Sequence, residues 1–184
     1  VWEENGVLSV SGGKLTTWRA MAQQAVDAVL DRLPEERART VGPCRTRGTP
    51  LAGLAPVDLA GRLGAVHGLD RQVAGAMARR LGSLAWAAVT MAADRRDLSP
   101  LLPESDLSPA EVRAHCRWGA ALRLEDLLLR RTRFGMWQPE LAAALAPRVA
   151  EIAAAELGWD ALRVDLELER FHEALEGWTL AGVR

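Results

Sequence analysis

A single short stretch of this 184-residue chain reads as a β-strand, and one strand cannot make a sheet. Gly6-Val7-Leu8-Ser9-Val10 is apolar, carries β-branched residues and is closed by Ser11-Gly12-Gly13. Its pairing partners are therefore expected elsewhere, and the rest of the chain must pack as helices. Composition agrees. The chain has 32 alanines and 22 arginines, both good helix formers, against one lysine, Lys14. With 49% hydrophobic and 26% charged residues it has the balance of a globular domain with a core. The expected fold class is mainly α.

After the Gly-Gly turn, Trp18, Met21, Ala22, Ala25, Val26, Val29, Leu30 and Leu33 recur at helical spacing and form one amphipathic stripe. Thr16 or Thr17 is expected to cap this helix and Pro34 to stop it. Pro and Gly then punctuate the chain from Pro34 through Pro43, Gly53 and Pro56. Residues 1–40 thus form one piece, 41–56 a linker and 57–184 an all-α domain. Within the last, helices are expected over Pro56–Val66, Asp70–Leu81, Ser83–Ala93, Ser108 past Trp118, a further run to Arg133 ended by Phe134-Gly135, Pro139–Leu157 and Asp160–Glu176. Ser108-Pro109-Ala110-Glu111 is a capping box with proline at the first helical position, where no amide partner is lost.

Several function classes lose support on composition. The net charge is −1, whereas a nucleic-acid reader relying on counterion release carries a positive surplus. Cys44 and Cys116 are far apart and lack CxxC or His-rich spacing, so neither a disulfide scaffold nor a zinc site is indicated. A reducing compartment is the default expectation. No apolar run is long enough for a helix to cross a bilayer. The opening Val1-Trp2-Glu3-Glu4, without Met, suggests part of a longer protein.

Chemistry concentrates in Ser11-Gly12-Gly13-Lys14-Leu15-Thr16-Thr17. Gly-Gly admits close approach of the backbone to a ligand, and a helix start presents unsatisfied amides and a positive dipole end. Lys14 adds a full charge. The spacing is not that of a P-loop, and on spacing alone a tight turn before a capped helix is an equal reading. The other candidates are weaker. Arg130, Arg131 and Arg133 are expected to form a solvated face with an Asp126–Arg130 pair, an inward Arg131 being the next choice. His67, His115 and His172 stand isolated. Trp86, Trp118, Trp137, Trp159 and Trp178 are expected to pack the helical core, with one or two of them instead forming a seam with a missing domain as the alternative.

Ser9-Val10-Ser11-Gly12-Gly13-Lys14-Leu15-Thr16-Thr17-Trp18-Arg19 resembles the S-V-x-G-G-K-L-T-T-Y-R segment of FAD-dependent glycerol-3-phosphate dehydrogenases. Ala78-Arg79-Arg80-Leu81-Gly82-Ser83 is similar to that family's R-x-Y-G-S stretch. The run from Glu125 to Arg133 is similar to its D-x-L-x-R-R-T segment, and Gly135-Met136-Trp137 to the G-M-W of some bacterial members. Trp18 and Leu81 depart from the usual Tyr, and Gly119 stands where a Glu is expected on the helix before R-R-T.

The resemblance implies the C-terminal part of a flavoprotein that oxidises sn-glycerol 3-phosphate to dihydroxyacetone phosphate and passes electrons to a membrane quinone. Residues 1–40 would then be a strand–turn–helix remnant of an FAD-binding α/β domain. Gly12, Gly13, Lys14, Leu15, Thr16 and Thr17 would be the cofactor-binding turn, with Lys14 also contacting substrate. The resemblance assigns no catalytic base here. That base, most substrate arginines and the dinucleotide-binding unit lie upstream of Val1, so the isolated piece is expected to be inactive and not to hold FAD. It further implies a cytoplasmic protein, peripheral at the inner face of the membrane. A homodimer through exposed apolar surface, and a helical interaction module without catalysis, are the alternatives weighed.

Overall fold

The computed structural model describes residues 1–12, 14–50 and 54–178, which fall into two units, 1–51 and 52–184. The first unit opens with a hairpin. Strands β1 (Trp2–Glu4) and β2 (Val7–Ser9) pair antiparallel, Trp2 opposite Ser9 and Glu4 opposite Val7. The expectation of a lone strand with distant partners is thus corrected. Asn5 and Gly6 both have positive φ, +51° and +78°, as a two-residue type I′ connection requires. The charged Glu3-Glu4 pair hides the strand that Asn-Gly should have signalled.

A 3-10 turn (Leu15–Thr17) leads into α1 (Trp18–Leu30), which ends three residues before Leu33. Thr17 is the cap residue, but its hydroxyl donates to the Lys14 carbonyl at 2.9 Å instead of capping the helix. Arg32 Nε donates to Glu3 Oε2 at 2.7 Å and ties the end of this segment to β1. Pro34 starts a single turn, α2 (Glu35–Ala38). No described residue of 1–50 is buried, so the apolar stripe of α1 has no neighbour to cover it within its own unit.

The second unit is helical. Helices α3 (Leu59–His67), α4 (Arg71–Leu81) and α5 (Leu84–Thr90) surround one core of Leu63, Val73, Met77 and Ala85. Asp70 caps α4 by accepting from Gln72 N at 2.7 Å. A 3-10 turn at Arg95–Leu98, not anticipated from the sequence, is capped by Asp94. Next, α6 (Pro109–Trp118) starts at Ser108, whose Oγ accepts from Glu111 N at 3.3 Å. It lies between two cores: Ala110 and Ala114 face the first, Val112 and Cys116 the second. Burial pushes the Cys116 thiol up to about 11, so it stays protonated.

The second core is completed by a π-helical turn (Asp126–Arg131), α7 (Phe134–Trp137), α8 (Pro139–Leu157) and α9 (Ala161–Trp178). Thr132 N donates to Leu127 O at 3.0 Å, the wider loop that sets Leu127, Leu128 and Leu129 inward together. Phe134-Gly135, read as the end of a helix, instead begins α7 after Arg133 at φ +63°. A Cβ on Gly135 would lie 2.2 Å from Leu129 Cδ2, so this packing requires glycine. Gly177 does not end α9, which runs to Trp178. Trp86 and Trp159 pack partly against the cores, but Trp118, Trp137 and Trp178 are exposed, contrary to expectation. Trp118 and Trp137 are the last residues of α6 and α7, and Trp178 stands at the end of the described part of α9. Gly119 follows α6 rather than lying within it, and a Cβ there would meet the His115 carbonyl at 2.8 Å. Among the described residues, no helix is long and apolar enough to cross a membrane.

Candidate functional site

In the first unit the candidate residues fall on one turn. Gly12 is exposed, and a Cβ there would lie 2.1 Å from Met21 Cε, so the Met21 side chain lies over the turn where only hydrogen fits without a shift. Gly13 lies outside the described residues. Lys14 is extended (φ −107°, ψ 121°) and exposed, and among the described residues its ammonium has no ion-pair partner. Thr17 N donates to Lys14 O at 3.1 Å and closes the 3-10 turn. Leu15, Thr16 and Thr17 are all exposed.

The electrostatics follow from this geometry. The first amides of a helix have no acceptor inside it and carry the positive end of its dipole. No acidic side chain stands in the first turn of α1 to neutralise that end. The turn therefore offers backbone donors and one ammonium to an anionic or carbonyl-rich group. That donor set fits the edge of a flavin and an oxyanion substrate alike. Among the described residues no cluster of His, Cys, Asp or Glu could hold a metal ion.

A second polar constellation lies inside the helical unit. Arg80 donates from Nη2 to Glu111 Oε2 at 2.8 Å and from Nη1 to Asp106 Oδ1 at 2.8 Å, with its guanidinium 5.7 Å from the Phe134 ring centre. Glu111 is fully buried, and His115 Nε2, one turn on, lies 3.5 Å from Oε1. The capping box is therefore half made: the Glu111 amide is capped while its carboxylate turns inward to Arg80. This role was missed in the sequence, although Glu111 and His115 at i, i+4 are the signal. Arg80, Thr132, Arg133 and Trp137, from three separate motifs, line one cavity of about 200 Å³.

Burial works against the charged form of Glu111, but the Arg80 guanidinium and His115 outweigh it and hold the carboxyl below its usual range. A carboxyl with a depressed folded-state value stabilises the fold above its unfolded value and loses that contribution as pH falls through the folded one. The contribution of Glu111 to the stability of the helical unit should thus be full above the ordinary glutamate range and be lost as pH falls below it. Thermal melts between neutral and acid pH check this, and Glu111→Gln should flatten the acid limb.

The remaining candidates resolve as surface features. Arg130 pairs with Asp126 at 2.7 Å and Glu125 at 3.1 Å, as the solvated-face reading expects. Arg131 is exposed, and its Nε donates to Gly119 O at 2.7 Å, so it does not turn inward. His67 packs edge-on to Trp86, and His172 Nδ1 lies 2.7 Å from Leu168 O.

Residues 44–164 match the family model described as the C-terminal domain of alpha-glycerophosphate oxidase. The chain is 33% identical over 181 residues to glycerol-3-phosphate dehydrogenase 2 of Mycobacterium bovis, covering 96% of this chain and 30% of that protein. It is 32% identical over 174 residues to the mitochondrial glycerol-3-phosphate dehydrogenase of Mesocricetus auratus, covering 90% of this chain and 23% of that protein. The chain thus spans less than a third of the length of these relatives. No solved structure matches it.

Proposed function

Because this chain belongs to the family of the C-terminal domain of alpha-glycerophosphate oxidase, we propose that it is the C-terminal part of an FAD-dependent glycerol-3-phosphate dehydrogenase. The longer enzyme oxidises sn-glycerol 3-phosphate to dihydroxyacetone phosphate, passes the electrons to a quinone, and attaches peripherally to the cytoplasmic face of the membrane. When bound, FAD supplies the acceptor for the hydride from substrate C2. Gly12 and Gly13 let the backbone come close to it. The amides at Leu15 and Thr16, at the positive end of α1, favour negative charge on the facing group, and the turn that Thr17 closes holds them there. Lys14 holds the phosphate or a hydroxyl oxygen of the substrate. Residues 57–184 support the flavin domain.

The observation that carries this reading is the uncovered stripe of α1. A helix with Val26 and Val29 exposed, beside a two-stranded hairpin with no buried residue, gains little from burial on its own. A larger sheet supplied by the same polypeptide is the surface that would cover it. Hydrogen exchange tests this. Amides of α1 should exchange quickly in the 184-residue chain and become protected in the uninterrupted protein. Equal protection in both would contradict the proposal.

A further inference from the structure

A cavity of about 470 Å³ in the helical unit has the size of a small-molecule site. It is lined by Arg96 from the 3-10 turn, Arg113 from α6 and Arg148 from α8, over an apolar floor that includes Leu101 and Ile152. Two carboxylates also reach it, and both already accept backbone hydrogen bonds. Asp94 Oδ1 accepts from Arg96 N at 2.7 Å and Asp97 N at 3.2 Å. Asp97 accepts from Ala93 N at 2.9 Å and pairs with Arg113 at 2.7 Å.

The two remaining guanidinium groups are differently placed. Among the described residues Arg96 has no ion-pair partner. Arg148 pairs, among the described residues, with Glu151 alone, and both side chains are more than half exposed, so that pair costs little to open. Guanidinium forks match the planar faces of carboxylate and phosphate and bind them in two-point fashion. We propose that this cleft binds a small organic anion, its phosphate or carboxylate head held between Arg96 and Arg148 and its carbon body against Leu101 and Ile152. Arg113, already neutralised by Asp97, holds the wall in place.

The test uses the 184-residue chain, with phenyl phosphate, benzoate and inorganic phosphate as probes in calorimetric and amide-shift titrations. Saturable binding of phenyl phosphate or benzoate is expected, with shifts centred on residues 95–101, 109–113 and 148–152. It should weaken about tenfold or more in Arg96→Ala/Arg148→Ala and in the milder Arg96→Gln/Arg148→Gln. Comparing phenyl phosphate with benzoate identifies the preferred head group, and weaker binding of inorganic phosphate reports the contribution of the floor. Arg71→Ala/Arg123→Ala, which removes two exposed arginines elsewhere, should leave the affinity unchanged. Absence of saturation up to about 10 mM overturns the proposal. So does an affinity that survives loss of Arg96 and Arg148, or one that falls equally in the control.

Discussion

Glu111→Ala should destabilise the helical unit by about 3–5 kcal/mol, the cost of leaving one partner of a buried ion pair alone. For a unit of this size that corresponds to a fall of roughly 10–20 °C in Tm. Glu111 is fully buried, and its carboxylate answers a guanidinium that is itself largely shielded from water. Without it Arg80 keeps Asp106, through Oδ1 at 2.8 Å and the carbonyl oxygen at 3.1 Å, but loses its one fully buried acid. Removing both ends tells the pair's net worth from the penalty of breaking it. Arg80→Met/Glu111→Leu should recover much of the loss, because two apolar groups of similar volume need no partner. Thermal and urea melts of the parent, Arg80→Met, Glu111→Leu and the double variant close the cycle. A single-variant loss below about 1 kcal/mol would place the pair among ordinary surface contacts.

The second large effect is on turnover. In the uninterrupted enzyme, Lys14→Ala should lower kcat/KM for glycerol 3-phosphate about 100-fold, or close to 3 kcal/mol, the scale of one charge-assisted contact made at the reacting end of the substrate. Its melting temperature should hardly move, since Lys14 is exposed and has no ion-pair partner among the described residues. This separation of rate from stability distinguishes a substrate contact from a structural one. Lys14→Arg should recover part of the rate, because charge is kept while the point geometry of the ammonium is lost. Unchanged kinetics in Lys14→Ala would remove Lys14 from the site.

The helices were legible because their cause is local. Apolar spacing and Ser108 before Pro109 and Glu111 each act within one or two turns, and the structure uses them. What was not legible depends on partners distant in sequence. Three consecutive leucines after Asp126 read as ordinary helix, whereas the π-helical turn buries all three in the second core, among residues far apart in sequence. Glu111 read as a cap because its other partner, Arg80, stands 31 positions away. The tryptophans read as core by composition, but their places at helix ends put three of them in solvent. The β1–β2 hairpin is the exception, a local signal at Asn5-Gly6 overlooked beside charged neighbours. In the candidate site, the strand–turn–helix shape and the open dipole end follow from the residues. The substrate and cofactor assigned to it rest on family likeness.

If this chain completes a flavin-dependent dehydrogenase, the absorption spectrum of the uninterrupted protein will show it. Expressed from the reading frame containing these residues, the protein should be yellow, and its visible flavin band should bleach when glycerol 3-phosphate is added anaerobically. A colourless protein, or a yellow one whose band is unmoved by glycerol 3-phosphate, would contradict the account.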